Sequence, residues 1–226
     1  MLETLGRAEG PHGEVALRRR TTDDGDTHLE LVVDGVFAMD DVDTTTERAL
    51  ATEALRRLPG RDLRVLVGGL GLGWTAAAAL AEPRVGTVEV AELHAPLVRW
   101  AEEGRLPALP PGDPRLRLRT GDVADVLAEH SGRWDAVLLD VDNGPGFLVH
   151  PSNEALYRPA GLTGAVAALR PHGVLAIWSS SPAPRLRERL GRLPTTAEAE
   201  ELLLPVARDG RELTYAVVLA RRSAAG

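Results

Sequence analysis

The chain contains no cysteine and no lysine. The first absence excludes disulfides, thiolate metal sites and a cysteine nucleophile. The second excludes a P-loop, whose G-K-[ST] needs a lysine for the phosphates. Aromatic residues make up only 4% of the chain and Ile177 is its one isoleucine, so the core must be built from Leu, Val and Ala. Every basic residue is an arginine, which reads as the codon bias of a G+C-rich genome rather than as function. A net charge of −7 leaves no surplus of cations to displace counterions from phosphates, so general nucleic-acid binding is not expected. Long hydrophobic runs are missing as well. The stretch Ala76–Ala81 is far too short to span a bilayer, and the opening Met1–Gly6 lacks the basic and apolar regions of a signal peptide. No membrane partner is expected, and the expected location is cytoplasmic.

What is present is organised. At 226 residues the chain fits one α/β domain with a small extension. Short β-type segments at Val15–Arg20, His28–Val33 and Val36–Met39, parted by turn residues, predict an N-terminal β-ribbon over residues 1–43. A helix is expected from Thr45 to Leu58, opened by a capping box of Thr44 and Glu47. From Arg64 strand and helix alternate. Strands are predicted at Arg64–Val67, Val85–Ala91, Leu116–Arg119, Asp135–Asp140 and Val174–Trp178. Helices are predicted at Trp74–Ala81, Pro96–Glu103, Val123–His130 and Asn153–Leu169. A helix over Pro184–Leu190 and a hairpin of Glu200–Val206 with Leu213–Ala220 close the chain. The alternation over residues 44–226 calls for a Rossmann-like fold with a mostly parallel seven-stranded sheet and a C-terminal antiparallel hairpin.

The most informative segment is Val65-Leu66-Val67-Gly68-Gly69-Leu70-Gly71-Leu72-Gly73. A buried-type strand ends there in a loop whose Gly69, Gly71 and Gly73 let backbone approach a ligand closely. Glu92 follows 19 residues after Gly73, near the spacing of a ribose-binding acid. The G-x-G-x-G spacing with Trp74 next lacks the third glycine of a dinucleotide fingerprint, so the loop suits a ligand without a pyrophosphate, such as an adenosyl sulfonium. Ligands in open α/β sheets bind beyond the carboxyl ends of the strands. Glu92, Asp122 and Asp140 stand at three such ends. Each also has a plainer reading: Glu92 as a solvated loop acid, Asp122 as a helix cap, and Asp142 with Asn143 as turn formers before Gly144-Pro145. Asp140 closes an apolar run, where a carboxylate needs water, a ligand or a partner. The cluster Asp40, Asp41 and Asp43 reads as a solvated helix lead-in or as a lure for a cationic acceptor. Trp178-Ser179 could line an acceptor pocket, and Trp74 could pack over a donor or in the core. His150 could serve as a base.

These pieces carry a family resemblance. With Val33-Asp34-Gly35, Val90-Ala91-Glu92-Leu93, Thr120-Gly121-Asp122, Trp134–Asp140, Ala155-Leu156-Tyr157 and Leu169–Gly173, the chain resembles the spermidine synthase-like branch of the class I S-adenosylmethionine-dependent methyltransferases. The resemblance implies a donor site of Gly69, Gly71, Gly73, Glu92, Leu93, Asp122, Val123 and Asp140, with Glu92 on the ribose and Asp122 on the adenine amino group. It implies Asp140 at the reacting centre, helped by Asp142. The acceptor side departs from the polyamine pattern: Leu72 stands in place of the aspartate of GGGDGG, and Thr45-Thr46-Glu47 keeps only the acid of Tyr-His-Glu, an acid the capping box already explains. With no acid in the loop for a propylamine, and loop N–H groups free for a carboxylate, the expected activity is methyl transfer from S-adenosylmethionine to a small-molecule nucleophile. Aminopropyl transfer from decarboxylated S-adenosylmethionine is the alternative, with a cationic amine as acceptor. A non-catalytic adenosyl-binding protein is the third reading. No metal is expected, and a homodimer is.

Overall fold

The computed structural model describes residues 1–141, 153–208 and 210–224. Its N-terminal part is a four-stranded antiparallel sheet of β1 (Leu2–Gly10), β2 (Gly13–Thr21), β3 (Thr27–Val33) and β4 (Val36–Asp40). Asp34 and Gly35 form the two-residue turn between β3 and β4, with φ of 49° and 75°, the left-handed pair that matches the strand twist. The sequence reading misses β1. Its segment has two glycines and little β-branched content, and it becomes a strand by pairing with β2 from Leu2↔Arg20 to Gly10↔Gly13.

Helix α1 (Thr45–Arg56) leads into the main sheet, whose strands are β5 (Leu63–Gly68), β6 (Val85–Glu92), β7 (Leu116–Thr120), β8 (Trp134–Leu139), β9 (Leu169–Ser179), β10 (Thr196–Arg208) and β11 (Arg211–Arg222). They lie in the order β10-β11-β9-β8-β5-β6-β7, and within the closing hairpin β11 runs antiparallel to the rest, as expected. The connecting helices are α2 (Trp74–Ala81), α3 (Ala95–Glu102), α4 (Val123–Glu129), α5 (Glu154–Tyr157), α6 (Pro159–Ala168) and α7 (Pro184–Gly191). The single helix expected over Asn153–Leu169 is two. Pro159 has no N–H and holds Arg158 at φ −74° and ψ 158°, outside the helical region.

Register brings the site together. Gly68 at the end of β5 lies opposite Ala91 of β6 on one side and Leu139 of β8 on the other, while Glu92 lies opposite Thr120. The glycine loop, Glu92, Asp122 and Asp140 therefore share one edge of the sheet. Across that edge sits the N-terminal sheet, whose Val15, Leu17, Leu31 and Val33 belong to the same core as Leu50, Leu97 and Trp100. Among the described residues no helix is long and apolar enough to cross a membrane.

Candidate active site

Between the two sheets lies a cavity of about 310 Å³. The first half of its wall follows from strand ends. Gly69 leaves β5 at φ 89°, and a Cβ there would stand 2.3 Å from the Asp140 carbonyl oxygen, so only glycine lets these two strand ends meet. Gly69 and Gly71 line the cavity together with Glu92, Leu93, Asp122, Val123 and Asp140. Gly73 does not. It caps α2 in a left-handed conformation at φ 90°, where a Cβ would meet Leu109. Asp142, Asn143 and His150 lie outside the described residues.

Glu92 is buried, and each of its oxygens is held by the protein. Its Oε2 accepts the Leu70 N–H at 2.8 Å, and its Oε1 accepts the His94 N–H at 2.7 Å and faces His94 Nδ1 at 3.1 Å. A solvated loop acid would show none of this. Asp122 caps α4, its Oδ1 accepting from Ala124 N at 2.8 Å, and the residue also lines the cavity.

The second half of the wall was less legible. The capping box does not form: Thr44 sits at φ −110° and ψ 14°, away from the extended conformation a cap needs, and its hydroxyl accepts from Arg48 Nε. Asp43 caps the helix start instead, accepting from Thr45 N at 2.9 Å. Glu47 is thereby released to the cavity. Burial and the negative charge of Asp140 push its carboxyl up to about 7. Burial also raises Asp140, against the opposing pull of the Thr75 hydroxyl, which donates to its Oδ2 at 2.7 Å. That hydroxyl has one proton, so the Glu47 carbonyl at 3.2 Å is its weaker alternative.

The acidic cluster before α1 divides. Asp40 is buried and lines the cavity, as does Asp43, while Asp41 accepts from Leu29 N and faces His28. Phe37, Trp178 and Tyr215 supply aromatic wall, with Trp178 and Tyr215 5.6 Å apart between ring centroids. Ser180, rather than the buried Ser179, reaches the cavity. Trp74 lies under the Arg48 guanidinium at 4.6 Å and takes no part in the lining.

Leu72, which stands where the polyamine pattern has an aspartate, turns into the core. Gly71 is the loop residue facing the cavity, and Met39 fills the space beside it: a Cβ on Gly71 would stand 2.6 Å from the Met39 sulfur. The loop N–H groups are also largely committed. Gly69 donates to Ala91 O, Leu70 to Glu92, Leu72 to Met39 Sδ and Gly73 to Leu70 O. Few of them are left for a carboxylate, because the strand ends and β4 pack close enough to use them.

No family model and no curated protein matches the sequence. Solved structures do match. A spermidine synthase in complex with the transition-state analogue AdoDATO superposes with a TM-score of 0.77 at 15% identity, over 97% of this chain and 73% of that one. Spermidine synthase from Thermotoga maritima gives 0.75 at 14% identity, over 97% and 72%. The chain thus shares the fold of these spermidine synthases.

Proposed function

We propose that the protein transfers an aminopropyl group from decarboxylated S-adenosylmethionine to an amine, the alternative rather than the first choice of the sequence reading. The observation that carries this is the charge of the lining. Asp40, Asp43, Glu47, Glu92, Asp122 and Asp140 put six acidic side chains on one cavity, and no arginine stands among its described lining residues. Decarboxylated donor carries a sulfonium and an ammonium and no anion, so both of its charges are attracted. S-adenosylmethionine adds a carboxylate, which would meet these acids with only His94 as a cationic partner. The likeness to spermidine synthases points the same way.

In this reading Glu92 holds the ribose, Asp122 the adenine amino group, and Gly69, Gly71, Leu93 and Val123 form the surrounding wall. The acceptor nitrogen attacks the propyl carbon bonded to sulfur. A C–N bond forms as the C–S bond breaks, and its electron pair stays on sulfur to give neutral methylthioadenosine. The amine loses a proton, which passes to Asp140 with Glu47 beside it. Positioning of two cations against fixed acids supplies most of the acceleration, and proton transfer the rest.

Calorimetry with decarboxylated S-adenosylmethionine, S-adenosylmethionine and methylthioadenosine tests the donor, and turnover with a panel of amines tests the acceptor. The expected product is methylthioadenosine. Preference for S-adenosylmethionine with release of adenosylhomocysteine would restore methyl transfer, and binding without turnover would leave an adenosyl-binding protein. Asp140→Asn is expected to keep donor affinity within a few-fold and cut turnover by roughly 100-fold or more.

A further inference from the structure

His94 faces an acceptor on each side of its ring. Nδ1 lies 3.1 Å from Glu92 Oε1, and Nε2 lies 3.1 Å from the carbonyl oxygen of His12, in the turn between β1 and β2. A carboxylate and a carbonyl accept and cannot donate. A neutral imidazole carries one N–H and would leave its other nitrogen lone pair against an oxygen lone pair. Only the imidazolium satisfies both contacts. The ring is largely enclosed, with a side-chain exposure of 10%, so the mismatch could not be relieved freely by water.

From this geometry we infer that His94 is a positioning residue: as an imidazolium it fixes Glu92 against the glycine loop and ties the β1–β2 turn to the donor site. Three donors then define the carboxylate: the Leu70 N–H on Oε2, and the His94 N–H and ring on Oε1. The inference rests on Glu92 being the ribose acid of the proposed transferase. The groups around the ring agree with a cation there. Glu92 comes from β6, Asp34 from the β3–β4 turn and the His12 carbonyl from the β1–β2 turn, while Asp122 lines the same cavity. Glu92 chiefly, opposed by burial, and with lesser help from His12 and Asp34, raises the His94 pKa. The tie between hairpin and donor site is therefore fully present below the ordinary histidine range and is lost as pH rises through the raised value.

Two measurements decide the matter. Nitrogen-15 spectra of the histidine rings in the full chain are expected to show both His94 nitrogens protonated at pH 7, and Glu92→Gln is expected to lower that ring's pKa. Calorimetry with methylthioadenosine is expected to show His94→Ala weakened by roughly tenfold or more, the scale of a hydrogen bond to a charged group. His94→Asn, whose amide can reach Glu92 without titrating, is expected to recover most of that loss. A singly protonated ring at pH 7, or wild-type affinity in His94→Ala, would overturn the inference. If the wild type fails to bind methylthioadenosine at all, the donor-site reading falls and the positioning role with it, while the ring spectrum still tells whether His94 bridges as a cation.

Discussion

Glu47 shows how one side chain can be misjudged from its neighbours in sequence. Three residues after Thr44 it has the spacing of a capping partner, yet it faces the cavity with its carboxyl near 7. The consequences for stability follow from the sign of the shift. The folded protein keeps a proton on Glu47 between the ordinary carboxylate range and about 7, where the unfolded chain has lost it. Stability therefore falls as pH rises through that window and levels off above it. Glu47→Gln removes the cost, so thermal melts of the empty protein at pH 8 are expected to show it more stable than wild type by about 1–3 kcal/mol, with no gain at pH 4. Turnover at pH 8 is expected to move the opposite way, because above about 7 the same change removes an anion from the acceptor's path. A variant no more stable at pH 8 than wild type would mean that Glu47 is not held neutral by burial and Asp140.

At the scale of elements, the glycine loop joins β5 to α2 through contacts that tolerate no side chain. Gly69→Ala would set a Cβ against the Asp140 carbonyl at a positive φ. Both penalties act together, and unfolding by denaturant is expected to show a loss of at least about 2 kcal/mol. Gly35→Ala, at φ 75° but with open space around it, is the comparison, and its smaller loss would report backbone strain alone. The arginine content, read from sequence as codon bias, also has structural uses. Arg84 donates to the Leu55 and Leu58 carbonyls at the end of α1, Arg115 to Leu80 O in α2, and Arg222 to Ala167 O in α6. Guanidinium groups from neighbouring elements thus add donors to carbonyls near helix ends. Such partners are distant in sequence and carry no local signature, whereas the break between α5 and α6 was written in Pro159 and could have been read there.

For the whole molecule, the N-terminal sheet is part of the site and of the core. It supplies Met39 and Asp40 to the cavity, and Val15, Leu17 and Leu31 to the packing around Leu50, Leu97 and Trp100. Removing residues 1–43 is expected to leave a chain that does not fold cooperatively, as circular dichroism on heating would show. A sharp transition in the truncated chain would instead mark residues 44–226 as able to stand alone. The sequence by itself determined the alternation of strands and helices, the glycine loop, and the acids Glu92, Asp122 and Asp140 at the strand ends. These depend on periodicity, backbone freedom and position along one chain, all of which are local. Only the tertiary structure decided that Glu47 and Asp40 join those acids in one cavity, that the loop N–H groups are spent within the protein, and that His94 stands between two acceptors. Charge, protonation and ligand preference depend on distance and burial through space, and no spacing along the chain contains them.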